Sequence, residues 1–346
     1  MVTSSPRCFV IAEAGVNHNG SVERALQLVD AAADSGADAV KFQTFRAEAL
    51  VGAGVEKAAY QQAATGGGDQ LEMLRALELD ADAHVALLRR CAERGIEFMS
   101  TPFDEQALDF LVGLGMRRVK IPSGELTNRP FLRRIAATGL PLILSTGMGT
   151  LDEVREALDW IRGGRPAQWS TVSGDVTVLH CTSSYPAAFE DVNLLAMRTI
   201  AERLGVAVGY SDHTLGVEVA TAAVALGAVV IEKHFTLDRS LPGPDHAASL
   251  EVAELAAMVR SIRAVEAALG DGVKAPRRAE IDVARLVRRS VAAAADRPAG
   301  HVLTPEDLTL LRPGTGIPPR DLESVIGRRL ARPVARGRVL TPEDFV

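Results

Sequence analysis

Two lysines stand inside apolar runs: Lys41 in Ala39-Val-Lys-Phe-Gln43 and Lys120 in Val119-Lys-Ile121. A buried ammonium either pairs with an anion or gives up its proton. A lysine that loses its proton can form a Schiff base, as in an aldolase. Two charged lysines can instead cradle a phosphate and a carboxylate, helped by hydroxyls and backbone N–H groups at Ser123-Gly124 and Ser145-Thr146-Gly147. As a third reading, both lysines pair structurally with Glu13 and Glu232. Two lysines with several hydroxyls nearby favour the cradle. His213 and His234 come from the ends of neighbouring runs, where two imidazoles can share one divalent ion with Glu or water completing its shell. Hydrogen-bonded structural histidines would give the same pattern, and His18 and His180 are less decidable.

The elements that position these residues are eight short apolar runs. They cover 8–13, 39–43, 96–101, 119–121, 142–145, 176–180, 206–209 and 229–234. Short runs rich in Val and Ile suit strands buried on both faces, the parallel case. Amphipathic stretches lie between them, at 21–35, 81–94, 105–114, 151–162, 217–226 and 251–269. Several stop at a glycine, as at Arg94-Gly95. This alternation predicts an α/β fold, a (β/α)8 TIM barrel. A doubly wound sheet would need Gly-x-Gly-x-x-Gly after its first strand, and Gly15-Val-Asn-His-Asn-Gly20 is a different pattern. In a barrel the site lies at the carboxyl ends of the strands. Those ends are polar: Glu13, Lys41 and Gln43, Ser100 and Thr101, Lys120 with Ser123 and Glu125, Ser145, His180, Ser211 with His213, and Glu232 with His234. Packing does not require so many polar groups on one rim, because each buried charge costs several kcal/mol unless paired. The long insertion Arg46–Leu79, after the second strand, is read as a lid or binding loop.

The 346 residues carry a net charge of −6 that hides an asymmetry. Residues 272–346 hold 14 Lys and Arg against 9 Asp and Glu, a net of +5, which leaves −11 for the rest. That shift divides the chain into a barrel at 1–271, a linker at 272–287 and a small domain at 288–346. Within the last, Gly300-His-Val-Leu-Thr-Pro-Glu-Asp307 recurs as Gly337-Arg-Val-Leu-Thr-Pro-Glu-Asp344, which predicts a pseudo-symmetric β unit. Each Thr-Pro-Glu is read as a helix start. Met1–Arg7 is too short and polar for a signal peptide, and no apolar run is long enough to span a membrane. Cys8, Cys91 and Cys181 form no C-x-x-C, which points to a reducing, cytoplasmic setting. The acidic balance gives no support to nucleic-acid binding.

The chain resembles the sialic acid (N-acetylneuraminate) synthases. The resemblance rests on Ile11-Ala-Glu-Ala-Gly-Val-Asn-His-Asn-Gly20, Val40-Lys-Phe-Gln-Thr44, Ser100-Thr-Pro-Phe103, Lys120-Ile-Pro-Ser-Gly-Glu125, Ser145-Thr-Gly-Met148, Ser211-Asp-His-Thr214, Glu232-Lys-His-Phe-Thr236, Pro242-Gly-Pro-Asp245 and Arg312-Pro-Gly-Thr-Gly316, all in family order. It implies a transferase that condenses phosphoenolpyruvate with N-acetylmannosamine and releases phosphate by C–O cleavage. A modified 2-acetamido sugar, as in legionaminic acid synthesis, is the alternative acceptor. The tail resembles the antifreeze-like SAF (β-clip) domain, which in this family reaches into the partner's barrel and so implies a domain-swapped homodimer. By the same resemblance Lys41, Thr101, Lys120, Ser123, Ser145 and Ser211 hold phosphoenolpyruvate. His213 and His234 bind Mn2+, or Mg2+ or Co2+ in its place. Glu13, Gln43, Tyr185, Asp245 and the partner chain's copy of Arg312 meet the sugar, and Glu125 is acid/base or positions it. Thr182-Ser-Ser184 departs from relatives in a loop beside the acceptor. Rival classes are a lysine aldolase, a 3-deoxy sugar acid synthase, and a non-enzymatic ice- or glycan-binding tail.

Overall fold

The computed structural model describes residues 7–346 except 53, 59–60, 63–64 and 166–174. Residues 1–6 of the stretch read for targeting lie outside the described residues. Eight parallel strands run β1 Phe9–Gly15, β2 Ala39–Thr44, β3 Glu97–Pro102, β4 Val119–Ile121, β5 Leu142–Ser145, β6 Val176–Cys181, β7 Ala207–Asp212 and β8 Val230–Thr236. They are paired in the order β3-β2-β1-β8-β7-β6-β5-β4, with β1 bonded to both β2 and β8. β3 and β4 lie side by side and bring the ends of this order together, giving a nearly closed (β/α)8 barrel. Helices follow the strands, and their starts obey simple chemistry. Ser21, Asp80, Asp104, Asn128 and Thr150 each accept from a backbone N–H of the first turn. Gly95 ends its helix at φ +68°, a left-handed conformation that costs glycine little.

Side chains alternate faces along a strand, and this alternation builds the barrel's two cores. One set faces the helices: Val10, Ala12, Val40, Phe42, Leu144, Val178 and Ile231 belong to the large outer cluster. The other set faces the barrel axis: Ile11, Ala39, Met99, Ile143, Leu179 and Val230 form a separate apolar plug. Two residues further along the same strands stand Glu13, Lys41, Thr101, Ser145, Cys181 and Glu232. The polar site is therefore the next layer above the plug.

Short helices of the insertion 46–79 include Ala47–Leu50 and Gln70–Arg75. Its Met73 and Leu77 bury against Val16 and Phe45 in a small cluster of their own.

The chain divides into compact units at Asp271 and Gly272. The stretch read as a linker contains a helix, Arg278–Val287, whose Glu280 reaches back to accept from the Arg277 backbone N–H at 2.8 Å. The second unit pairs β9 Ser290–Ala293 antiparallel with β10 Leu308–Leu311 around a core that includes Val291, Leu303, Val325, Leu330 and Leu340. Each copy of the repeat forms one 3-10 turn rather than the start of a longer helix. The decisive residue is the Asp after the Glu. The Asp307 carboxylate accepts from the Thr304 N–H and hydroxyl at 2.9 and 3.1 Å, and Asp344 does the same with Thr341 at 2.8 and 3.1 Å. Among the described residues no helix is long and apolar enough to cross a membrane.

Candidate active site

A cavity of about 350 Å3 opens at the carboxyl ends of the strands. Its floor is an ion cluster. Lys41 Nζ lies 2.6 Å from Glu13 and 3.6 Å from Glu232, and it donates to Thr101 Oγ1 at 2.9 Å. Lys120 Nζ lies 3.4 Å from the other oxygen of Glu232, which also accepts from Ser211 Oγ at 3.1 Å. All these side chains are buried. Burial alone would raise the Glu232 carboxyl, but Lys120 and Lys41 outweigh it and hold it down at about 2. Glu13 goes the other way. Burial, against the opposing pull of Lys41 and with repulsion from Glu232, lifts it to about 7. Burial pulls Lys41 down, but its two carboxylates win and its pKa is raised. Lys120 is lowered by burial, which Glu232 only partly offsets.

The hydroxyls beside this floor divide into two kinds. Ser145 Oγ is buried with no hydrogen-bond partner among the described residues. Ser123 Oγ accepts from the Gly147 N–H at 2.9 Å and touches Cys181 Sγ at 3.3 Å. The Gly147 N–H expected to cradle an anion is thus already engaged, and the Thr146 hydroxyl donates to the Leu179 carbonyl instead.

The two histidines face one another at the ends of β7 and β8, ring centroids 5.7 Å apart. His213 Nδ1 contacts the Thr182 carbonyl at 2.7 Å, so Nε2 is the nitrogen left to face Ser211 Oγ, 3.4 Å away. His234 Nδ1 is buried without a hydrogen-bond partner, 3.8 Å from Asp245 Oδ2. Burial lowers both imidazoles and keeps them neutral, the form that ligates a metal. The Tyr185 ring lies tilted against that of His213, centroids 4.2 Å apart. Burial raises the Asp245 carboxyl to about 6. This corner fits a divalent ion held by two nitrogens. Among the described residues no three His, Cys, Asp or Glu converge on one point, so substrate or water would complete the shell.

The cavity brings together Glu13, Lys41, Gln43, Thr101, Lys120, Ser123, Ser145, Tyr185, Ser211, His213, His234 and Asp245. It does not bring in Glu125. The 3-10 turn Ser123–Glu125 leaves that side chain outside the lining, where it accepts from Asn128 Nδ2 at 2.6 Å. Arg312 is exposed on the second unit, just past β10. Asp212 points to the outer face, where it pairs with Lys233 at 2.8 Å. Glu232 is the central residue that sequence reasoning placed on the polar rim and paired structurally with the lysines, but gave no role of its own. Its signal was its position two before His234, on the same face of one strand.

A family model describes residues 28–274, which span every one of these strands but the first. The chain belongs to the NeuB family. The SAF domain model matches residues 288–346. Among NeuB family relatives, the N,N'-diacetyllegionaminic acid synthase of Legionella pneumophila is 53% identical over 99% of this chain and 96% of that protein. The N-acetylneuraminate-9-phosphate synthase of Homo sapiens is 35% identical over 93% of this chain and 88% of that protein. The crystal structure of an N-acetylneuraminic acid synthetase from Leptospira borgpetersenii, in complex with citrate, is 34% identical. It superposes with a TM-score of 0.71, covering 81% of this chain and 90% of that one.

Proposed function

We propose that this NeuB family member condenses phosphoenolpyruvate with the open-chain aldehyde of 2,4-diacetamido-2,4,6-trideoxymannose, yielding N,N'-diacetyllegionaminic acid and phosphate. The observation that carries the chemistry is the pair of buried lysines beside the unpaired Ser145 hydroxyl, under a corner with two neutral imidazoles. The acceptor expected first, N-acetylmannosamine, gives way because the relative at 53% identity is a synthase of the diacetyl acid, while the N-acetylneuraminate-9-phosphate synthase stands at 35%.

Lys41 and Lys120 bind the phosphate and carboxylate of phosphoenolpyruvate, with the unpaired Ser145 hydroxyl as a further donor and Ser211 lining the same pocket. Carbon 3 of phosphoenolpyruvate attacks the aldehyde carbon, water adds at carbon 2, and phosphate leaves with its bridging oxygen's bond to carbon broken. A divalent ion, Mn2+ by preference, bound by His213 and His234 would act as a Lewis acid on the aldehyde oxygen. Glu13, raised to about 7, is suited to pass a proton to that oxygen as it becomes a hydroxyl. Gln43, 3.4 Å from Glu13, and Asp245 orient the sugar.

With the purified enzyme, phosphate release should require both substrates, stop on exhaustive chelation, and give a product heavier than the acceptor by one pyruvate unit. Borohydride added with phosphoenolpyruvate should leave no adduct. A covalent adduct on Lys41 or Lys120 would replace the cradle with Schiff-base chemistry.

We further propose that the enzyme works in the cytoplasm, in keeping with three buried free thiols, as a domain-swapped homodimer in which Arg312 serves the partner's acceptor side. Mixing an Arg312→Ala chain with a His213→Ala chain should then restore activity that neither has alone. No restoration after verified subunit exchange would refute the crossing.

A further inference from the structure

The cavity has two unlike sides. The floor and the side formed by β6, β7 and β8 are polar. Beyond the ends of β1, β2 and β3 the lining is Val16, Met73, Leu74, Leu77 and Phe103. These five belong to one apolar cluster with Phe45, whose ring meets that of Phe103 edge-on at 6.0 Å. Met73 and Leu74 lie four and three residues before Leu77, so all three fall on one side of the chain at and just past the helix Gln70–Arg75, which Asp69 caps. Met73 and Leu77 are buried, which makes this a packed wall rather than a loose flap.

The insertion that supplies the wall offers it no charge. Its three cations are Arg46, Lys57 and Arg75. Arg46 is bound to Glu78 at 3.0 Å and Arg75 to Glu48 at 2.6 Å. Lys57 donates to Thr65 Oγ1 and to the carbonyls of Gly66 and Gly67 at 2.8–3.1 Å. The polar group that the insertion adds to the lining, among the described residues, is the neutral amide of Gln61. The lining ammoniums, Lys41 and Lys120, are on the floor with Glu13 and Glu232.

We infer that this wall reads the end of the acceptor remote from its aldehyde and selects an uncharged, methyl-bearing 6-deoxy acetamido sugar over one that carries a hydroxymethyl or a phosphate there. The inference rests on the condensation proposed above and adds the residues that choose its second substrate. A methyl group gains by leaving water for this surface. A phosphate pressed against it loses its hydration with no cation to replace it.

The test measures phosphate release by the full-length enzyme from phosphoenolpyruvate with three acceptors: 2,4-diacetamido-2,4,6-trideoxymannose, N-acetylmannosamine and N-acetylmannosamine 6-phosphate. The deoxy sugar should lead N-acetylmannosamine by about tenfold in kcat/KM, and the phosphorylated sugar by about a hundredfold or more. Leu74 is only half-buried, so Leu74→Arg and Leu74→Gln are the variants of choice. Leu74→Arg should cut the deoxy-to-phosphorylated ratio at least about tenfold. Leu74→Gln should narrow the deoxy preference over N-acetylmannosamine. Comparable kcat/KM for all three sugars, or folded Leu74 variants that leave both ratios unchanged, would overturn the wall and leave the condensation standing. No release with any of the three would overturn the condensation and the inference with it.

Discussion

Glu232 does more for the site than its absence of obvious chemistry suggests. One carboxylate lies within 3.6 Å of both lysines and accepts from Ser211. The four charged groups of the floor nearly cancel, and with Glu13 lifted to about 7 the cluster carries up to one positive charge at neutral pH. Such a floor is stable without substrate and still attracts an anion. Glu232→Gln removes the shared carboxylate and leaves Lys120 without a carboxylate partner. Breaking a buried pair in this way costs roughly 3 kcal/mol or more. The variant should therefore unfold at clearly lower urea than the parent, and inorganic phosphate should stabilise it more than it stabilises the parent, by filling the vacated role. Equal urea midpoints would show that Glu232 does not hold the lysines in place.

The strands were the most legible elements. Their short Val- and Ile-rich runs end in polar residues, and each run corresponds to a barrel strand within a few residues. Period-two alternation explains why this worked for the site as well: Ile11 and Glu13, or Ala39 and Lys41, are successive residues of one face. Three features were hidden because they depend on contacts between elements. Glu125 follows Ser123 closely in sequence, yet the tight turn there carries it out of the lining. The apolar wall depends on Met73 and Leu77 packing against Val16 and Phe45, residues about 30 or 60 positions away in the chain, which local patterning does not register. Gly209 stands on the inner face of β7, where any Cβ would lie 2.3 Å from the Val230 carbonyl of β8. That close approach lets β7 and β8 present Ser211, His213, Glu232 and His234 side by side, and nothing in the sequence marks this glycine from the others. The repeat in the tail was visible, but its meaning lay one residue further on, in an Asp that closes the turn rather than a Glu that starts a helix.

At the scale of the molecule, two units with separate cores imply two unfolding events with different causes. The large unit rests on a broad apolar core. The small one has a much smaller buried core, braced by its two repeated aspartates. Asp307 is buried and also binds Arg297 Nε at 2.5 Å and His301 Nε2 at 2.8 Å, and Asp344 is buried and binds Arg332 Nε at 2.7 Å. The hydrogen bonds from His301 and the Thr304 backbone hold the Asp307 carboxyl well below its ordinary value. Burial would raise Asp344, but its bonds to Thr341 and Arg332 outweigh that and lower it. A carboxyl held below its unfolded value of about 4 contributes stability above that pH and loses it as pH falls through the folded value. Calorimetry of the full chain between pH 7 and pH 2.5 should therefore show the transition of residues 272–346 moving to lower temperature as pH drops below about 4. Asp307→Asn with Asp344→Asn should lower that transition at pH 7, each site costing about 2 kcal/mol, and should flatten its acid dependence. If the double variant and the parent lose stability in parallel on acidification, the paired turns are not what holds the small unit together.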